Sequence, residues 1–183
     1  MQYVALLRGI NVGGKNKLDM KQLKAGFESI GLNSVLTYIN SGNILFKSSE
    51  SDEKVLTQQI ERMINRLFEL EIPVVLCSYD DLKQICATIP DSYQNNEQMK
   101  CDVMFLWEEV DRPEVIDELK PKSEIDRLHY IPKAVIWSID RDKYNRSSMG
   151  KLIGTKLYSK MTVRNVNTTR KLLELMKVRI SEG

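Results

Sequence analysis

Short apolar runs and polar punctuation alternate along this chain in an order that recurs. Tyr3–Leu7 is an unbroken apolar stretch, the pattern of a strand buried on both faces. Beyond a Gly/Asn-rich turn, Met20, Leu23, Phe27 and Ile30 recur every three or four residues and predict an amphipathic helix. Asp19 stands at its N-cap with Gln22 in capping-box spacing, and Gly31 stands at C′. Ser34–Ile39 and Ile44–Lys47 are β-rich runs joined by Asn40-Ser41-Gly42-Asn43, which reads as a hairpin. A long helix is predicted from about Asp52, with Leu56, Ile60, Met63, Ile64 and Leu67 on one stripe. Pro73–Cys77 reads as a further strand and Tyr79–Ile89 as a short helix. The order β-α-β-β-α-β is the split βαβ, or ferredoxin-like, pattern.

The polar stretch Pro90–Lys100 breaks this pattern and separates two halves, 1–90 and 100–183. The second half restarts with a strand at Asp102–Trp107, and Pro113 opens a short helix to about Leu119. Leu128–Ile131 and Ala134–Ile139 pair about Pro132-Lys133. A polar stretch, Asp140–Gly150, leads to a helical segment from Lys151 and to a C-terminal helix from about Thr168. The expected fold class is therefore α+β: two ferredoxin-like halves, mainly antiparallel sheets with helices on one face. Topology adds a spatial expectation. A right-handed crossover makes the first two strands of a split βαβ unit parallel, and the hairpin returns the third beside the first. The turn after strand one (Arg8–Lys17) and the hairpin turn (Asn40–Asn43) then lie at the same end of the sheet.

Composition narrows the function classes. Of 183 residues, 42% are hydrophobic and 28% charged, the balance of an ordinary soluble protein. The longest apolar runs, Val103–Trp107 and Ala134–Trp137, are far short of the roughly 20 residues that span a bilayer, and Arg8 follows Tyr3–Leu7 too soon for a signal sequence. Cys77, Cys86 and Cys101 are odd in number and widely spaced, which suits a reducing cytoplasm and buried, unreactive thiols. His129 stands alone, leaving almost no material for a zinc site or a histidine-based triad. Charge is uneven. Residues 1–26 carry five basic and one acidic side chain, residues 141–183 carry eleven and three, and the middle carries eleven and twenty-one. Two positive chain ends flank a negative middle, a distribution that suits an anionic partner.

Several motifs compete for that partner. Gly9-x-x-x-x-Gly14-Lys15 matches the first seven positions of a P-loop, but Asn16 replaces the magnesium-binding hydroxyl and the helix begins near Asp19, several residues late. The hairpin also contradicts the parallel sheet of that fold. An RNA-recognition sheet shares the split βαβ order, and Tyr3 and Phe46 stand on the strands that would stack bases, without the accompanying K/R-G-F-x-F pattern. Ser148-Met149-Gly150-Lys151 is formally S-x-x-K but lacks the companion motifs of that enzyme class. Asp80-Asp81 and Glu108-Glu109 lie at element ends, where caps explain them. Before the last helix, Arg164 and Asn165 precede Asn167 and Thr168, either of which can cap it, and so are placed to face an anion with the helix N-terminus.

With these segments in view, the chain resembles the DUF1697 family of bacterial proteins, a domain of unknown function. The resemblance rests on ALLRGINVGGKNKLDM (Ala5–Met20), TYINSGNILF (Thr37–Phe46) and RNVNT (Arg164–Thr168). The last departs from the family's usual T-R-N-W-N-T, since Val163 and Val166 stand where threonine and tryptophan are expected. The resemblance implies an α+β protein of two ferredoxin-like halves and implies no activity. Its motif positions fall on Arg8, Gly9, Asn11, Gly13, Gly14, Asn16, Asn40, Ser41, Gly42, Asn43, Arg164, Asn165, Asn167 and Thr168.

The functional expectation is a cytoplasmic binder of a small phosphate- or carboxylate-bearing molecule, at an edge formed by Arg8–Lys17 and Asn40–Asn43 and joined by Arg164, Asn165 and Asn167. Arg8, Lys15 and Lys17 supply charge, glycines let amide groups approach an anion, and Asn11, Asn40 and Asn43 orient it. No nucleophile, general base, metal or cofactor is named by the sequence. The alternative is a nucleic-acid-binding module that uses the basic chain ends.

Overall fold

The N-terminal apolar run becomes the inner strand of a sheet. The computed structural model describes residues 1–11 and 16–181. In it, β1 (Gln2–Leu7) is followed by α1 (Met20–Ser29), β2 (Asn33–Tyr38), β3 (Asn43–Lys47), α2 (Glu53–Phe68), β4 (Val74–Ser78) and α3 (Tyr79–Thr88). The sheet order is β2-β3-β1-β4 with every neighbour antiparallel, consistent with the β-α-β-β-α-β reading. Because β1 is antiparallel on both sides, the P-loop reading falls.

Tyr3, Ala5 and Leu7 of β1 join Ile44, Phe46, Val74 and Leu76 on the face that packs against Leu23 and Phe27 of α1 and Leu56, Ile60, Met63 and Ile64 of α2. Val4 and Leu6, which alternate with them, are also buried, and that is why the strand reads as continuous rather than alternating. The Tyr3 and Phe46 rings stack at 5.7 Å, and Phe27 meets Phe46 edge-on at the same distance, contacts worth about 0.5–1.5 kcal/mol each beyond their area. Both strand aromatics are 1% exposed. They are core, and base stacking on this sheet is excluded. Asp19 caps α1 by accepting from the Gln22 amide at 2.8 Å, and Asp52 caps α2. Leu67, placed on the buried stripe by its spacing, is 38% exposed, because it sits in the last turn, where the helix is leaving the core.

A second sheet contains β5 (Met99–Leu106), β6 (Arg127–Ile131), β7 (Ala134–Asp140) and β8 (Met161–Asn165) in the order β6-β7-β5-β8, again antiparallel throughout. α4 (Val115–Leu119) lies between β5 and β6, and α5 (Val166–Ser181) follows β8. Met104, Leu106, Val135, Trp137 and Ile139 pack with Val115, Leu119, Ile125, Met149, Leu152 and Met161. The chain thus forms two units, Met1–Tyr79 with the end of α5 from Leu175, and Asp80–Glu174.

Two expectations for the second half are corrected. The helical segment from Lys151 is replaced by 3-10 turns at Arg141–Arg146, Met149–Lys151 and Tyr158–Lys160. Gly150, Gly154 and the neighbouring Ser and Thr residues favour turns over a continuous helix, and Gly154 adopts φ +89°. The residues before the last helix form the strand β8, whose β-branched Thr162 and Val163 suit an edge beside β5. Cys77 and Cys101 are buried and in no disulfide, and burial pushes the Cys101 thiol up to about 12, which leaves it protonated and unreactive.

Candidate functional site

All the strand ends that should converge do converge in the first unit. The Leu7 amide donates to the Gly42 carbonyl at 2.8 Å, and the Arg8 amide donates to the Pro73 carbonyl at 3.0 Å. The glycine turn and the hairpin turn are therefore neighbours at one end of the sheet, as the topology predicts. Asn11 joins them. Its Oδ1 accepts from the Leu18 amide at 2.9 Å, while its Nδ2 donates to the Asn40 carbonyl at 2.9 Å and to the Leu18 carbonyl at 3.3 Å. Asn16 closes the base of the loop: its carbonyl accepts from the Asn11 amide at 3.1 Å, and its Nδ2 donates to the Gly9 carbonyl at 3.0 Å.

This edge holds an unusual share of left-handed backbone. Gly9, Asn11, Asn16, Ile39 and Gly42 have φ of +69°, +53°, +47°, +50° and +77°. Asparagine tolerates that region through local hydrogen bonds, but a β-branched residue does not. Ile39 is also 50% exposed, so burial does not compensate its backbone strain. Ile39→Asn is expected to raise stability by about 0.5–1 kcal/mol, read as a higher denaturant midpoint. A lower midpoint would show that the isoleucine is held by contacts at the tip.

The turn residues divide by role. Asn43 is fully buried, and its Nδ2 donates to the Tyr38 carbonyl and to Ser41 Oγ, both at 3.0 Å, so it holds the hairpin closed. Gly42 is buried beneath the turn, Ser41 and Arg8 are half-buried, and Gly9, Asn16, Lys17 and Asn40 are exposed. Gly13, Gly14 and Lys15 lie outside the described residues. Asn11, Lys17, Leu18, Asp19, Met20, Lys21 and Asn40 line an open cleft of about 680 Å³ at the start of α1. Lys21 joins this rim unforeseen. Its position in the first turn of α1, four residues after Lys17, was the available signal. A second open cleft, about 740 Å³, is lined by Glu61, Arg62, Asn65, Arg66, Glu71, Ile72 and Pro73. Its charges are of both signs, and Glu61, raised by burial, has its Oε1 occupied by the Val74 amide at 2.9 Å.

The C-terminal members of the expected site belong to the second unit. Arg164, on β8, is 7% exposed, and its Nη1 donates to Thr162 Oγ1 at 3.0 Å and to the Val163 carbonyl at 2.8 Å. Burial pushes its guanidinium down to about 10. Asn165, not Asn167 or Thr168, caps α5, because its Oδ1 accepts from the Thr168 amide at 2.8 Å. Asn167 instead donates from Nδ2 to the Asn95 carbonyl at 3.0 Å.

Sequence reasoning missed Asp126. This carboxylate is 5% exposed. Oδ1 accepts from Trp137 Nε1 at 3.1 Å and from Ser147 Oγ, and Oδ2 accepts from the Lys122 amide at 3.0 Å, Ser148 Oγ at 3.0 Å and the Ser148 amide at 3.3 Å. Burial pushes its pKa up, but the bonds from Ser147, Lys122, Trp137 and Ser148 outweigh it and hold the carboxyl below its usual value. Ser148 of the S-x-x-K match is thereby a donor to a structural carboxylate. Among the described residues, no three His, Cys, Asp or Glu side chains are grouped to hold a metal ion, and no helix is long and apolar enough to cross a membrane.

A family model described as "Protein of unknown function (DUF1697)" matches residues 1–137. That span includes both Gly/Asn turns, while Arg164–Thr168 lies beyond it. The fold is similar to that of the conserved bacterial protein SP0830 from Streptococcus pneumoniae, with a TM-score of 0.81 and 27% identity over 94% of this chain and 97% of that one. No curated protein matches the chain.

Proposed function

The chain belongs to the DUF1697 family of proteins of unknown function, so no activity comes with its fold, and we propose one from the site itself: binding of a small phosphate- or carboxylate-bearing molecule in the cleft beside α1. The observation that carries this reading is the way Asn11 locks the two turns into one edge whose open cleft bears Lys17, Lys21 and Asn40. Two ammonium groups outnumber the one carboxylate on the rim, Asp19, whose Oδ1 is engaged in capping α1, and so favour negative charge there. The strained turn is preorganised, so ligand binding would not have to order it. A cytoplasmic location suits three cysteines that form no disulfide. The proposed site is confined to the first unit, since Arg164, Asn165 and Asn167 have local partners. Transformation of the ligand is not part of the proposal.

The test is a thermal-shift series with inorganic phosphate, ribose 5-phosphate, AMP and citrate. A probe at about a hundred times its Kd should stabilise the protein by about 2.7 kcal/mol, a rise of several degrees in Tm. Lys17→Ala/Lys21→Ala should remove the response while leaving the unliganded midpoint in place, because both side chains are exposed. A series in which no probe raises Tm, or in which the double variant responds like the parent, overturns the reading.

A further inference from the structure

Where the first unit connects β3 to β4 through the long helix α2, the second connects β7 to β8 through Arg141–Lys160, a run of 3-10 turns carrying six basic residues and one acidic. Three of the six are engaged: Arg141 with Asn95 and Asn96, Lys143 with Asp140 at 2.8 Å, and Lys160 with Glu109 at 2.7 Å. Arg146, Lys151 and Lys156 are exposed, and their side chains have no hydrogen bond or ion pair among the described residues. They recur at five-residue intervals along one connection, beside exposed Tyr144 (38%) and Ile153 (65%). Three exposed like charges on one connection do nothing for the core. The connection is nonetheless held firmly. Asp126 grips Ser147 and Ser148, Lys122 Nζ donates to the Arg146 carbonyl, and Met149 and Leu152 are buried in the core.

We propose that Arg141–Lys160 is a docking surface for single-stranded nucleic acid, with Arg146, Lys151 and Lys156 neutralising backbone phosphates and Tyr144 providing a stacking platform. The Tyr144 ring is braced from within the unit, with Trp137 at 6.1 Å between centroids and Lys100 Nζ 5.7 Å from its centroid. A part-exposed ring on a connection that also carries three exposed cations is the combination that binds unpaired bases without sequence preference. A lipid surface fits less well, since the segment has no amphipathic helix to lie in an interface and only Ile153 to insert. This site lies in the second unit and does not depend on the cleft beside α1.

The experiment is fluorescence anisotropy with a labelled mixed-sequence 16-mer RNA, the corresponding duplex DNA, and phosphatidylserine vesicles, each between about 50 and 200 mM salt. The single strand should bind most tightly, and its affinity should fall steeply as salt rises. Arg146→Ala/Lys151→Ala/Lys156→Ala should reduce the log–log salt slope by about two, from roughly 0.7 per phosphate contact. Tyr144→Leu should weaken binding at least about fivefold, while Tyr144→Phe, which keeps the ring, retains it. Unchanged thermal midpoints for the triple variant separate a lost contact from a lost fold. No RNA binding at low salt, duplex or vesicle binding as tight as the single strand, an unchanged slope in the triple variant, or no effect of Tyr144→Leu would each overturn the proposal.

Discussion

Asp126→Asn is expected to destabilise the second unit by about 3 kcal/mol, since the side chain is a buried acceptor for five donors and each donor left unsatisfied costs about 1–3 kcal/mol. The amide keeps one acceptor oxygen but turns an NH2 group towards other donors, so repulsion adds to loss. The measurement is denaturant unfolding followed by tryptophan fluorescence, because Trp137 is itself one of the donors. A midpoint within error of the parent would mean that the carboxylate is not the anchor of the Arg141–Lys160 connection.

The same carboxylate sets an acid limb. Its folded pKa is lowered, so its contribution is fully present above the unfolded aspartate value of about 3.9 and is lost as pH falls through the folded value. The stability gap between parent and Asp126→Asn should therefore be constant near neutrality and narrow below about pH 4. A gap that widened on acidification would have the wrong sign for a lowered pKa.

The sheets were legible in the sequence because their signals are local and strong. β1, β3 and β7 are short apolar runs bounded by turn residues, and Asp19 and Asp52 announce helices with caps. The meeting of the two turns was legible through topology, since chirality rules fix which ends coincide before any contact is known. β8 was missed because Thr162-Val163-Arg164-Asn165 sits directly before a helix, where its asparagines read as capping residues. The Asp126 cluster was missed for a different reason. Its donors come from positions 122, 137, 147 and 148, and no periodicity joins residues that meet only after a sheet has formed. Charge told where cations concentrate, but only the structure separates Lys143 and Lys160, which are paired, from Lys151 and Lys156, which are not.

Gly42→Ala should cost about 2–4 kcal/mol, combining roughly 1 kcal/mol for a side chain at positive φ with about 1–3 kcal/mol for overpacking. A Cβ on Gly42 would stand 2.8 Å from Leu7 Cβ and 2.8 Å from Ile10 Cδ1. Leu7 and Ile10 are buried, with no room to retreat, and Leu7 Cβ is fixed by the strand itself. The Leu7 amide also donates to the Gly42 carbonyl, so lifting the turn to relieve the clash breaks a bond that ties it to β1. Gly31→Ala separates the two contributions: φ there is +84°, but nothing lies within 4 Å of the new methyl group, and only the backbone cost of about 1 kcal/mol should remain. Equal losses at the two positions would show that the hairpin turn is not packed against β1. If the larger loss is found at Gly42, Asn40 must move with the turn, and the Asn11–Asn40 bond that shapes the cleft beside α1 loosens with it. Anion probes should then bind Gly42→Ala more weakly than Gly31→Ala, although neither substitution touches a lysine.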